Sequence, residues 1–322
     1  MPILSRYAHL TVLATLVAFA AACRATSAGP SPGSAPTPAG TIRVVSTASS
    51  LPISLTELAE IASRADVVFF GEEHTDPETH RIEFALLEAI GGMRTDVILS
   101  LEMFERDVQG TLDDYISGRL PETEFLAKSR PWPRYATDYR PMVEFAKSKG
   151  WPVIASNVPR QIASAVGRRG LAALDSLPAG ERGYAARDII CPNDDYRRRF
   201  FDEMKGHSSG SAAPAPGDSL PTVVAERFYL AQCVKDETMG ESIADARQRL
   251  GLGALVVHYD GSFHSDFGAG TAERLRRRAP SARTLVISAV PVPDPTAGVV
   301  TNSKRADYVI FTRAEAKPSG TR

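Results

Sequence analysis

The sequence predicts an α/β protein, a mainly parallel β-sheet flanked by helices, with a smaller helical subdomain. Three observations carry that prediction. Short runs of apolar, β-branched and aromatic residues recur along the chain and read as strands buried on both faces. Helical patterns separate the first of them at β-α-β spacing. The 322 residues are 43% hydrophobic and 23% charged, an ordinary globular balance with chain enough for one large domain or two smaller ones. The formal net charge of −1 offers no basic excess that would point to nucleic acid. Arginine clusters at 197–199 and 276–278 read as solvated helix faces.

Near the amino terminus, Arg6 precedes an almost wholly apolar stretch, Leu10 to Ala22, that ends at Cys23. This predicts a secretory signal over residues 1–23, too short for a comfortable membrane span. Ala20-Ala21-Ala22-Cys23 resembles a bacterial lipoprotein cleavage box, with Ala20 where such boxes commonly carry leucine. The alternative is plain signal-peptidase cleavage in the same alanine run. Diacylation of Cys23 would anchor the protein by more than one chain, as stable anchoring requires. The expected location is the cell envelope, exported and membrane-anchored. Residues 24–41 are rich in Ala, Ser, Pro, Gly and Thr and read as a tether. Export permits a disulfide between Cys191 and Cys233, which this reading favours over two unpaired buried thiols. Neither lies in a C-x-x-C pattern, so no zinc–thiolate site is expected.

The folded domain is expected over 50–312, with a tail at 313–322. Ser54-Leu55-Thr56-Glu57 is a capping-box pattern that opens a helix running to about Arg64. Val67-Val68-Phe69-Phe70 is the first buried strand, and Gly71-Glu72-Glu73-His74 follows it at once. Asp76-Pro77-Glu78 starts a helix to about residue 91, with Ile82, Leu86, Leu87 and Ile90 on one face. Val97-Ile98-Leu99-Ser100-Leu101 is the second strand, with Glu102 at its end. The crossover between these strands should be right-handed and the strands parallel; if adjacent, their axes lie about 4.8 Å apart. Helices without strands over about 104–150 suggest an insertion above the sheet rim. Pro152 to Ser156 is the third strand, ending at Asn157. Residues 171–250 are helical, interrupted by a flexible Ser/Gly/Ala/Pro loop at 208–221. The long helix from about 223 to 250 carries Asp236-Glu237, which reads equally as a solvated face or as a functional acid pair. Ala254 to Tyr259, Leu285 to Ala289 and Tyr308 to Phe311 complete the strands.

Two copies of one spacing stand out: Gly71-Glu72-Glu73-His74 and Gly261-Ser262-Phe263-His264, each directly after a buried strand. Glycine suits a sharp strand exit because positive φ costs it little. Open α/β sheets bind ligands at the carboxyl ends of their strands. His74, His264 and Glu72 there would suit a transition metal, or equally a general acid/base site, with Glu73 and Glu102 as further carboxylates. His80 lies on the first turn of the following helix. His258 reads as a satisfied core histidine. Tyrosinate can ligate ferric haem, but no spacing singles out one of Trp132, Tyr135, Tyr139, Tyr196, Tyr229 and Tyr259.

With these residues in view the chain resembles the ChaN-like lipoproteins, the haem-binding uptake family within the Tiki/TraB/erythromycin-esterase superfamily. The likeness rests on Gly71-Glu72-Glu73-His74, His80, Ser100 to Phe104, Tyr139-Arg140-Pro141, Ala155 to Arg160 and Gln232 to Met239, and it covers roughly residues 50–312. It implies a parallel α/β core with a smaller helical subdomain, haem or iron as the bound species, a surface lipoprotein role in iron uptake, and a homodimer with tyrosine ligation. Tyr139, Arg140, Asn157 and Tyr259 are the ligand-binding candidates beside His80. The Tiki branch resembles metal-dependent proteases built on two G-x-x-H motifs and a glutamate, which here map onto His74, His264 and Glu102. Three functions therefore stand: haem or iron binding during uptake; a hydrolase in which a divalent metal lowers the pKa of bound water, with Glu73 or Glu102 as base; and a non-catalytic surface binding protein.

Overall fold

The computed structural model describes residues 42–207, 222–297 and 302–314. The expected signal, tether and lipidation site at Cys23, and the loop at 208–221, lie outside the described residues. In chain order the elements are β1 (Ile42–Ser46), β2 (Pro52–Ile53), α1 (Leu55–Ala62), β3 (Val67–Glu72), α2 (Pro77–Gly91) and β4 (Val97–Glu105). There follow α3 (Gln109–Ile116), α4 (Glu122–Ser129), α5 (Tyr135–Asp138), α6 (Arg140–Lys149) and β5 (Val153–Asn157). Next come α7 (Arg160–Arg169), α8 (Ala172–Asp175), α9 (Ala179–Arg182), α10 (Asp195–His207) and α11 (Thr222–Leu250). The chain closes with β6 (Leu255–Gly261), α12 (Gly270–Arg278), β7 (Thr284–Val292) and β8 (Tyr308–Arg313).

The strands make one eight-stranded sheet in the order β2-β1-β8-β7-β3-β6-β4-β5. All pairings from β8 to β5 are parallel, and β1 adds to β8 and β2 to β1 antiparallel. The fold class is the α/β class that the apolar runs predict. The β3-α2-β4 unit is present, but β3 and β4 are not neighbours: β6 lies between them and pairs with both. Its end, Gly261, is therefore delivered between Glu72 and the β4 rim. The sheet also begins earlier than residue 50. Ile42–Ser46 is short and sits next to a Ser/Pro-rich stretch, and it is held by pairing with β8, more than 250 residues away. Sequence windows do not register such a partner.

Alternation along β3 sets the core. Val68 and Phe70 face one side of the sheet, with Leu99, Leu101, Val257, Tyr259 and the apolar stripe of α2. Val67 and Phe69 face the other, with Ile98, Val256, Ile243 of α11 and Leu275 of α12. Both phenylalanines are fully buried, each contributing on the order of 2 kcal/mol of apolar burial. The capping box at Ser54 and Glu57 is formed, and Asp76 caps α2 with Pro77 in its first turn. The four helices α3 to α6 stand between β4 and β5 and bring Trp132, Asp138 and Tyr139 over the end of β3. Cys191 and Cys233 are joined by a disulfide, with Cα atoms 5.7 Å apart, tying the segment before α10 to the middle of α11. Among the described residues no helix is long and apolar enough to cross a membrane.

Phe70→Ala removes one of the two fully buried phenylalanines at the centre of this sheet. It should destabilise the fold by about 3–5 kcal/mol, read as a lowered urea midpoint with the slope unchanged.

Candidate functional site

The ends of β3, β6 and β4 lie side by side and carry the polar residues. β3 places Glu72 inward, with its side chain fully buried. Glu73 is exposed and takes no part in the cluster, because consecutive residues of an extended chain face opposite ways. The expected role of Glu73 as a base is therefore not supported by its placement. His74 returns over the rim. Its Nδ1 meets Glu72 Oε1, its ring packs edge-on to Trp132 at 5.1 Å, and its side chain is 41% exposed. Neither glycine of the two repeated motifs has positive φ; the strand-exit reason for them is wrong. The glycines are needed for space. A Cβ on Gly261 would lie 2.7 Å from His74 Nε2, and one on Gly71 would lie 2.8 Å from the Ser262 backbone.

The same Glu72 Oε1 accepts a hydrogen bond from the Tyr139 hydroxyl at 2.7 Å. Behind it stand His80 and Glu83 of α2. His80 Nδ1 is 2.9 Å from Glu83 Oε2 and 3.7 Å from Glu72 Oε2. His80 Nε2 faces the His74 carbonyl at 3.1 Å and Asp138 Oδ2 at 3.4 Å. Desolvation, and then the Glu72 carboxylate beside it, push Glu83 well above the usual carboxylate range. Burial works against a charged His74, but its bond to Glu72 outweighs this and raises the imidazole above its ordinary 6.5.

A second cluster surrounds His264, near enough to the first that Glu102 and His264 also act on the charge of His74. Its Nδ1 is 2.7 Å from Asp236 Oδ1 and its Nε2 3.3 Å from Glu102 Oε1, so both ring nitrogens are taken. Glu102 also accepts the Gly261 backbone N–H at 2.8 Å. Glu102 lies within β4, where the register with β5 shifts after Leu101, an irregularity of the kind that re-aims side chains at strand ends. Burial alone would lower the His264 pKa; Glu102 and Asp236 outweigh it and hold the imidazolium up at about 10. Burial likewise opposes a charged Glu102, but the His264 cation holds it well below its normal range. Asp236 and Glu237 are both fully buried, which removes the solvated-face reading. Asp236 accepts from the Tyr196 hydroxyl at 2.6 Å, and Glu237 pairs with Arg277 and Arg278.

The expected metal set of His74, His264 and Glu72 thus does not close. Glu72 belongs with His80 and Glu83, and His264 belongs with Asp236 and Glu102. Among the described residues, Glu72, His80 and Glu83 are the set whose ligand atoms all lie within 4.8 Å of one another. Tyr139 is buried and donates to Glu72, and Tyr259 is buried and donates to the Glu83 carbonyl at 3.1 Å. Burial first, then the neighbouring carboxylates, raises both phenols, so neither is placed to act as a tyrosinate ligand. Arg140 is paired with Glu122 at the surface, away from the rim. Asn157 bridges the Glu102 carbonyl at 3.1 Å and the Val158 N–H at 2.9 Å. His258 is a fully buried core histidine, held down at about 3 by desolvation, with Nδ1 2.9 Å from the Ser100 hydroxyl. Glu83 is the residue the sequence reading missed. The spacing 83, 86, 87, 90 placed it on the buried face of α2, three residues from His80.

Beside Trp132 an open cleft of about 330 Å³ runs between α7 and α11, walled by Trp132, Val158 and Phe228 and flanked by Arg160, Arg168 and Lys235. Phe228 is 41% exposed there.

Residues 58–275 match the model of the family described as haem-binding uptake, Tiki superfamily, ChaN. The chain belongs to this family. Among solved structures it is similar to ChaN of Campylobacter jejuni, described with cofacial haem binding. That structure is 15% identical with a TM-score of 0.61, over 85% of this chain and 97% of that one. At this identity the likeness is one of fold. Weaker overlaps are with the type III effector HopBA1 and with a variant of the erythromycin esterase EreC in its open conformation. HopBA1 is 10% identical, TM-score 0.46, over 81% and 94% of the chains; EreC is 11% identical, TM-score 0.42, over 85% and 83%. No curated protein matches the sequence.

The His264 cluster gives a signed pH prediction. Its folded pKa of about 10 lies above the ordinary 6.5, so the stability it contributes is complete below 6.5 and is lost as pH rises through about 10. Glu102 acts oppositely, its contribution present above the ordinary 4.5 and lost on acidification. In His264→Gln the alkaline fall in thermal midpoint should be much shallower than in wild type.

Proposed function

We propose that this protein is an exported, lipid-anchored haem-binding protein of iron uptake, and that His74 ligates the haem iron. One observation carries the reading: the half-exposed His74 has Nδ1 held by the buried Glu72. A carboxylate on one ring nitrogen keeps the hydrogen there, fixes the ring and leaves the lone pair on the other, as is usual for a metal-ligating histidine. The surroundings fit the cargo. Trp132, against which His74 packs, is also a wall of the cleft, and Val158 and Phe228 continue an apolar face suited to a flat macrocycle. Arg160, Arg168 and Lys235 supply cations at its rim for two propionates. The family match supports haem over other ligands. Export is supported by the apolar stretch before Cys23 and by the Cys191–Cys233 disulfide, a bond of oxidising compartments.

Haem titration followed by visible absorbance tests this. Wild type should give a shifted Soret band, His74→Ala should bind more than about tenfold more weakly, and Tyr139→Phe and Tyr259→Phe should keep the wild-type spectrum. An unchanged spectrum in His74→Ala would remove His74 as the ligand. Because the ligating imidazole must be deprotonated and its pKa is raised, affinity should climb as pH rises past 6.5, and His74→Ala should lack that climb. Gly261→Ala should disturb the haem spectrum with little loss of thermal stability, since the atoms nearest the new methyl are those of the His74 ring. For the anchor, Cys23→Ala should move the protein from the membrane fraction to the soluble fraction.

A further inference from the structure

We infer that Glu72, His80 and Glu83 form a buried binding site for one divalent transition-metal cation, separate from the haem-facing edge of His74. His80 Nε2 faces two acceptors, the His74 carbonyl at 3.1 Å and Asp138 Oδ2 at 3.4 Å, so it carries a hydrogen. That leaves the Nδ1 lone pair pointing at two carboxylate oxygens, Glu83 Oε2 at 2.9 Å and Glu72 Oε2 at 3.7 Å. All three side chains are at most 2% exposed, so a proton or a cation must lie between these atoms.

One hydrogen, whether on Nδ1 or on the Glu83 carboxyl, relieves one of those contacts and no more. Glu72 Oε2 and Glu83 Oε1 are both buried without a hydrogen-bond partner. Buried carboxylate oxygens are costly unless a donor or a cation meets them. Glu72 is turned so that Oε1 faces outward, where the Tyr139 hydroxyl and His74 occupy it, and Oε2 faces inward. A cation among the three residues meets the inward oxygens and the Nδ1 lone pair together. Two carboxylates and a divalent ion also sum to neutrality, the charge state a dry interior favours.

The spacing agrees. Metal–ligand bonds of about 2.0–2.1 Å in a tetrahedral set put neighbouring ligand atoms roughly 3.3 Å apart. The observed 2.9 Å and 3.7 Å bracket that value. The outer partners match metal practice as well: His80 donates its other nitrogen's hydrogen to a carbonyl and a carboxylate. One imidazole with two carboxylates selects zinc, manganese or ferrous iron rather than a thiolate-seeking ion. Such an ion clips the end of β3 to the first turns of α2 and fixes the Glu72 oxygen that holds His74.

The test uses haem-free full-length protein, stripped with chelator and then loaded with zinc or cobalt(II), so its outcome does not depend on the haem reading. After gel filtration wild type should hold about one metal per chain by elemental analysis, show cobalt ligand-field bands without thiolate charge transfer, and melt several degrees higher than the stripped form. His80→Ala and Glu83→Gln should lose the metal, the bands and the metal-dependent rise, while His74→Ala keeps all three. Glu83→Gln guards against a folding failure in His80→Ala, because it is isosteric with a protonated acid. No uptake by wild type would overturn the inference. So would full uptake by Glu83→Gln, loss of uptake in His74→Ala, or a Glu83→Gln protein as stable as wild type when wild type shows no response to metal.

Discussion

Glu72 is the group on which the rim of the sheet depends. It is a carboxylate with no exposure, at the last position of the central strand β3, and one of its oxygens holds both His74 and the Tyr139 hydroxyl. Removing a carboxylate from water costs several kcal/mol unless its partners are well placed. The fold supplies those partners from three directions. His74 comes from the turn just beyond β3, Tyr139 from the helical insertion after β4, and His80 with Glu83 from α2. The helical insertion is therefore more than a cover: without Tyr139 and Asp138 the polar end of β3 would lack two of its neighbours.

The two glycine-to-histidine motifs look alike in sequence and meet different chemistry. His74 has one carboxylate on one nitrogen and an exposed edge. His264 is buried between two carboxylates, both nitrogens engaged, and is held as a cation. A site built on the two histidines as equals does not follow from this arrangement. Spacing along the chain gives each histidine its place at a strand end; the neighbours that arrive from α11 and β4 give it its charge.

Much of the fold was legible in the sequence because its parallel strands are buried on both faces and so appear as unbroken apolar runs. The capping box at Ser54 and Asp76-Pro77 marked two helix starts for equally local reasons. The insertion of β6 between β3 and β4 was not legible, since pairing across almost 200 residues leaves no local trace. The same holds for β1, whose longer pairing is with β8 at the far end of the chain. At the site, Glu72, His74, His80, Glu102 and His264 were visible as polar residues at strand and helix ends. Glu83 was hidden within an apolar stripe. Tyr139 and Tyr259 could be noted, but only the structure shows that their hydroxyls are already committed to Glu72 and to the Glu83 carbonyl.

The antiparallel pair that closes one side of the sheet has a consequence for how copies of this protein meet. Open sheet margins are templates for unwanted pairing between chains. Here the margin is β2, only two residues long, and one of them is Pro52, which has no N–H to offer. The long apolar strands lie inside, screened by β1 and this blunt terminus. Molecules crowded together can therefore touch along that margin without one sheet growing into the next, and any contact they do make must be built from side chains.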